Sequence, residues 1–204
     1  AALLARKPAG VSWEVAGAFP VPALTAEQVL HEALEIGAGD RVLVNGSGGV
    51  TGGLLVSLAS LRGAEVIATA SPHRHEAVRA LGARHVVDYH DEDWPDQVVG
   101  IAGGSGVSAA ANTAPGAAKD ALRAVADGGR LATITSDPPA EERGIRVASL
   151  YVRPDGGQLR DLALLLADGR LTVSVAATSG LLDAAGALAR ALSGQAGGAI
   201  ALVL

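Results

Sequence analysis

Short apolar runs recur along this chain, each followed by a stretch of helical character. Arg41–Asn45 (RVLVN), Glu65–Ala70 (EVIATA), His85–Tyr89 (HVVDY), Val107–Asn112 (VSAAAN) and Arg130–Thr135 (RLATIT) read as five strands, with a sixth at Arg146–Val152. Between them, Val50–Leu61, Pro72–Leu81, a short piece around Gln97–Val99 and Gly116–Ala126 read as helices, the last closed by Gly128 and Gly129. At the front, Val11–Ala16 reads as a helix capped by Ser12 and broken by Pro20 and Pro22. Thr25-Ala26-Glu27-Gln28 has capping-box spacing for a helix to about Leu34. Towards the end, a loop at 138–143, helices at Leu159–Ala167 and Asp183–Leu192, and a strand at Ala199–Leu204 complete the pattern.

Apolar strands alternating with helices predict an α/β fold, a doubly wound parallel sheet with right-handed crossovers and helices on both faces. Ligands of such sheets sit at the carboxyl ends of the strands, where strand order reverses. That rule gathers residues 45–50, 70–74, 112–116 and 133–136 around one crevice.

The first strand runs into Gly46-Ser47-Gly48-Gly49, and Val50 and Thr51 open the helix that follows. A strand, a glycine turn and a helix in that order suit a pyrophosphate, because the backbone itself approaches the ligand and the first helical amides face it. Gly46 and Gly48 fill the first two places of the Rossmann dinucleotide fingerprint. Thr51 stands in the third, which serves helix–strand packing, and Gly52 and Gly53 come one step late. An ordinary ligand-free turn would use the same glycines.

Composition narrows the class. The 204 residues suffice for one substantial domain, or a domain with a smaller piece, and no apolar run reaches bilayer length. A formal charge of −5 without a basic block argues against nucleic acid. No cysteine means no disulfide, no thiolate ligand and no cysteine nucleophile. His31, His73, His75, His85 and His90 show no metal-ligand spacing. No signal-peptide pattern opens the chain, so a soluble cytoplasmic protein is expected. Methionine is absent even at position 1, as in a processed chain or a piece of a longer one.

An enzyme using NAD usually carries an acid at the end of its second strand for the ribose 2′-OH. Here that strand ends in Ala70 and Ser71, followed by Pro72, His73 and Arg74. A hydroxyl and a guanidinium suit a 2′-phosphate instead, so NADP(H) is the expected cofactor, with Ser71 and Arg74 as its contacts. Tyr89 is followed four residues later by Asp93, and Tyr151 by Asp155, which excludes tyrosine–lysine acid–base chemistry.

GDRVLVNGSGGVTGG, GAEVIATAS, VRALGARHVVDY, ALRAVADGGRLATI and YVRPDGGQL, after the opening LARKPAGVSWEVAGAFPVPALTAEQVL, run in one family's order. With these segments the chain resembles the medium-chain dehydrogenase/reductase superfamily, in its zinc-independent NADPH quinone oxidoreductase branch. The resemblance implies 2′-phosphate contacts at Ser71, Arg74 and Tyr89, and nicotinamide-side contacts at Asn112, Thr113 and the backbone around Ile134. Thr51 and Thr135 stand where that family usually has glycine, and a side chain at 135 would crowd the nicotinamide or donate a hydroxyl to it. Zinc-dependent relatives place a cysteine ligand where Pro20-Val21-Pro22 stands, so no metal is expected.

The resemblance also implies a division of the chain. Residues 1–22 match a remnant of a GroES-like barrel domain, 23–170 the Rossmann domain, and 171–204 a segment returning to the barrel. A full front domain is expected in the natural protein, or else a second copy as partner, since relatives commonly form homodimers. The expected activity is hydride transfer from NADPH to a small-molecule acceptor, a quinone or an α,β-unsaturated carbonyl compound, with donors drawn from Asn112, Thr113, Thr135 and nearby backbone. The competing expectation is a non-catalytic NADPH-binding module for regulation or assembly.

Overall fold

Six parallel strands carry the fold: β1 (Arg41–Asn45), β2 (Glu65–Thr69), β3 (His85–Val87), β4 (Val107–Asn112), β5 (Val125–Thr133) and β6 (Arg146–Ser149). In this computed structural model, which describes residues 3–194 and 196–204, they lie in the order β3-β2-β1-β4-β5-β6. Ala1, Ala2 and Gln195, within the expected end segments 1–22 and 171–204, lie outside the described residues. The order reverses between β1 and β4, which makes a doubly wound Rossmann sheet with its switch point at the carboxyl ends of those two strands.

The chain divides into two compact units, Thr25–Tyr151 and Ala1–Leu24 together with Val152–Leu204. In the larger unit, register places Leu43 beside Ile67 on one side and Ala110 on the other, and Ala110 beside Leu131. These residues share one face, and Val98 of α5 (Trp94–Ile101) and Leu122 of α6 (Ala118–Arg123) bury themselves in the same cluster. The same unit holds α3 (Val50–Leu61), which packs on β1 and β2, and α4 (His75–Ala80), which packs on β3. The amino-terminal edge is tied by charge: Arg130 Nη2 reaches Asp40 Oδ1 at 3.0 Å, and Arg41 Nε reaches Glu65 Oε1 at 3.1 Å.

The other unit holds α1 (Trp13–Ala18), α7 (Gly156–Ala167), α8 (Ala184–Leu192) and a parallel pair, β7 (Val175–Gly180) with β8 (Ala199–Val203). α1 packs on both of those strands. Ser12 caps α1 by accepting from the Val15 amide, and Asp155 caps α7 by accepting from Gly157 and Gln158. No helix among the described residues is long and apolar enough to cross a membrane.

Several element boundaries differ from expectation. α2 (Pro20–Gln28) begins at the prolines rather than at Thr25. The first turn of a helix needs no intrahelical N–H donor, so Pro20 and Pro22 are tolerated at its opening, and the Ala23 amide bonds to Phe19 O at 2.9 Å. Gly128 and Gly129 lie inside β5 rather than closing a helix, at a register shift against β4. A Cβ on Gly129 would stand 2.9 Å from the Ser108 carbonyl oxygen, so the strand requires its smallness there. The strand β7 was not expected; its only large aliphatic residue is Val175, too weak a period-2 signal to read.

Candidate functional site

The central strands share one feature at their carboxyl ends. β1 closes on Asn45, β2 on Thr69, β4 on Asn112 and β5 on Thr133, and all four residues are buried. Register aligns Asn45 with Asn112 and Asn112 with Thr133. Asn45 Nδ2 donates to Asn112 Oδ1 at 2.8 Å, and Thr69 Oγ1 donates to Asn45 Oδ1 at 2.6 Å. Asn112 Nδ2 in turn lies 3.1 Å from each of three acceptors: Ala114 O, Thr133 Oγ1 and Thr135 Oγ1. A polar layer thus lies across the switch point, with its groups paired to one another as burial demands.

The glycine turn stands on this layer. The Gly46 amide donates to Thr69 Oγ1 at 3.0 Å, and Ser47 Oγ donates to Thr69 O at 2.7 Å. Gly46 has φ of +87°, and a Cβ there would stand 2.5 Å from Thr113 Oγ1. Thr113 Oγ1 donates to the carbonyls of Asn45 and Gly46 at 2.9 and 3.0 Å, tying the loop after β4 to the turn. Gly49 is the N-cap of α3 and no side chain caps the helix. Val50 and Thr51, both half-buried, open its first turn.

The close packing expected of the fingerprint's third glycine is supplied by Gly52. A Cβ on Gly52 would meet Gly46 O at 2.3 Å and Ser47 Cα at 2.7 Å. Gly48 differs: the nearest atom to a Cβ there would be Arg74 Cγ, at 3.9 Å. The protein therefore leaves room at Gly48, above uncapped helical amides, where an anion is favoured.

Arg74 returns to this turn through a 3-10 segment, Pro72–Arg74, that follows β2. Its Nη2 donates to Gly48 O at 3.2 Å, while its Nε is buried with no hydrogen-bond partner. Ser71 Oγ donates to Tyr89 Oη at 3.0 Å, and the Tyr89 ring stacks on His90 with centroids 4.2 Å apart. His90 is fixed by Asp88, whose carboxyl is held below its ordinary range chiefly by the His90 amide, with the imidazole adding to it against desolvation. Between Thr69 and Arg74 the chain carries no carboxylate. An orphaned buried guanidinium N–H beside an open glycine turn and a hydroxyl pair fits a phosphorylated nucleotide.

On the β5 side, Thr135 is half-buried and the Ile134 amide donates to Asn112 O at 3.2 Å. Of the expected site residues, Arg74 meets the turn at Gly48 and Thr113 meets it at Gly46, Ser71 pairs with Tyr89, and Asn112 meets Ile134 and Thr135. Asn45 and Thr133 fell within the expected crevice with no role assigned, and Thr69 and Asp137 were not foreseen. The first three had a legible signal, since each is the polar last residue of an apolar strand.

The residues present do not compose a zinc site. The chain has no cysteine, and no group of three or more histidine, aspartate or glutamate side chains among the described residues is placed to hold a metal ion.

A doubly wound sheet whose switch point carries a glycine corner defines a nucleotide-binding domain of dehydrogenase type. Residues 50–154 match the family of zinc-binding dehydrogenases, and the chain belongs to that family, within the medium-chain dehydrogenase/reductase superfamily of oxidoreductases that use nicotinamide cofactors. A structure of an NAD-dependent alcohol dehydrogenase superposes with a TM-score of 0.89 at 28% identity, over 98% of this chain and 61% of that one. The quinone oxidoreductase of Coxiella burnetii gives a TM-score of 0.85 at 25% identity, over 98% and 63%. In sequence, a spectinabilin polyketide synthase system protein of Streptomyces orinoci is 38% identical over 132 residues, 63% of this chain. The chain spans about 6% of the length of curated relatives of this kind.

Proposed function

We propose that this chain is the cofactor domain of a zinc-independent reductase that transfers hydride from NADPH to a conjugated carbonyl compound or a quinone. The observation that carries the cofactor choice is Arg74, whose guanidinium lies against the Gly48 carbonyl with Nε unpaired, where an NAD enzyme would have an acid. Ser71 and Tyr89 would share the 2′-phosphate with it, and the amides around Gly48–Thr51 would hold the pyrophosphate.

A reduced nicotinamide, when bound, supplies the hydride. This chain's own residues then orient the acceptor side of the cleft. Asn112 already spends its amide N–H groups on Ala114 O, Thr133 and Thr135, so it acts by holding Thr135 and the loops in place. Charge built on the acceptor oxygen needs donors. Backbone amides near Thr135 or a water would supply them.

Residues 1–22 and 171–204 are proposed to belong to a GroES-like catalytic domain, completed by further sequence or by a homodimer partner. The polyketide synthase relative, about 6% of whose length this chain spans, favours a segment of a much longer protein. The quinone oxidoreductase favours a quinone.

A turnover screen with NADPH against enones and quinones, with and without a chelator, tests the reading. NADPH-driven reduction untouched by the chelator is expected. Reduction driven by NADH alone, or abolished by chelation, would overturn it.

A further inference from the structure

Asp137 belongs to no expected site, yet the rim of the cleft converges on it. Its Oδ1 accepts from Thr133 Oγ1 at 3.0 Å and from Thr135 Oγ1 in a shorter contact. Its Oδ2 accepts from the Gly116 amide at 2.8 Å. The carboxylate lies four residues beyond the end of β5 and reaches back because Ser136 takes φ of +61°, a left-handed conformation that a serine adopts at a cost. Desolvation, the largest influence on this carboxyl, pushes it up; the Thr135 and Thr133 hydroxyls and the Gly116 amide together outweigh it and hold it below its ordinary range. It is therefore an anion at neutral pH and can only accept.

That decides the direction of the hydroxyls. Thr133 and Thr135 both turn their protons to Asp137 Oδ1, and Thr135 Oγ1 is left to accept, as it does from Asn112 Nδ2. The same carboxylate fastens a loop. Residues 113–116 are tied at one end to the glycine turn, through Thr113 Oγ1 to Gly46 O, and at the other to Asp137, through the Gly116 amide. The glycine turn, the loop after β4 and the loop after β5 thus form one hydrogen-bonded rim, in which the last two meet through Asp137 and through Asn112 Nδ2.

We propose that Asp137 is a positioning residue of the cofactor cleft, fixing Thr135 as an acceptor and clasping the Gly116 loop to the end of β5. This rests on reading the cleft as the nicotinamide-cofactor site. Asp137→Asn keeps the shape but cannot accept at both ends, and Asp137→Ala removes the clasp. Asp40→Asn, at the opposite edge of the sheet, serves as a control for general destabilisation.

NADPH affinity by fluorescence titration and hydrogen exchange of the Gly116 amide in the cofactor-free protein are the two readouts. Asp137→Ala should weaken NADPH about tenfold, the worth of one charge-assisted hydrogen bond, with Asp137→Asn between it and wild type. Gly116 protection should fall in the same order, and Asp40→Asn should leave both unchanged. A wild type that binds neither NADPH nor NADH would overturn the reading of the cleft and this proposal with it. A wild type that binds, with Asp137→Ala equal to it in affinity, would overturn this proposal alone, whatever the exchange data show.

Discussion

Arg74 Nη2 lies 3.2 Å from the carbonyl of Gly48, and the same side chain is the nearest neighbour of any Cβ that might be added to Gly48. Arg74, in the segment after β2, therefore borders the space that Gly48, in the turn after β1, leaves open. Arg74→Ala should weaken NADPH by about tenfold or more, since a charged hydrogen bond contributes about 1.5–3 kcal/mol, and should change NADH much less. Titration with both cofactors checks this; equal losses would detach Arg74 from the 2′-phosphate.

Gly48 and Gly52 should fail in different ways. Gly48→Val places methyl groups in space the protein leaves empty, so the variant should fold normally and lose NADPH binding. Gly52→Ala drives a Cβ onto Gly46 O and Ser47 Cα, both backbone, and should lower stability by about 1–3 kcal/mol. Thermal melting alongside cofactor titration separates the two. A Gly48→Val protein with wild-type affinity would show that the corner does not carry the phosphates.

Asn112→Ala should act on stability first. The residue is fully buried, and its loss strands Asn45 Nδ2 and removes the amide donor that Thr133 Oγ1 and Thr135 Oγ1 accept from. Each group left unpaired costs about 1–3 kcal/mol. Denaturant midpoints measure it. Unchanged stability with lost cofactor binding would instead make Asn112 a direct ligand contact.

Acid should unfasten the amino-terminal edge. Desolvation raises the Asp40 carboxyl, but the Gly37 amide, the Ser108 hydroxyl and Arg130 outweigh it and leave it below the ordinary range. A depressed folded-state value means the stabilisation is complete above the unfolded value of about 3.9 and is lost as pH falls through the lower folded value. The stability difference between wild type and Asp40→Asn should be constant from about pH 6 to 8 and shrink below about pH 4. A difference that grows on acidification would reverse the sign and refute the assignment.

The order of elements in the six-stranded sheet was legible because its strands carry short apolar runs, whereas β7 lacks one and was missed. The glycine corner was legible because only a residue without a Cβ suits Gly46, at φ of +87°. Local rules also set the errors. Capping-box spacing at Thr25 was outweighed by prolines that the first helical turn tolerates, and Gly128-Gly129 stopped no helix because the packing of β5 on β4 needed them.

What the chain alone could not show is which side chains complete one another across strands. Asn45, Thr69, Asn112 and Thr133 lie 21 to 24 or 67 residues apart along their hydrogen bonds, and parallel register alone sets them side by side. Gly52 took over the close packing because contact depends on where α3 crosses the turn, not on spacing in a motif. Asp137 entered the rim through a single left-handed residue at Ser136, a backbone choice that no propensity for serine predicts. Sequence decided the elements because their signals are local and periodic. Tertiary structure decided the site because its groups are satisfied only by partners that folding brings within 3 Å or so of each other.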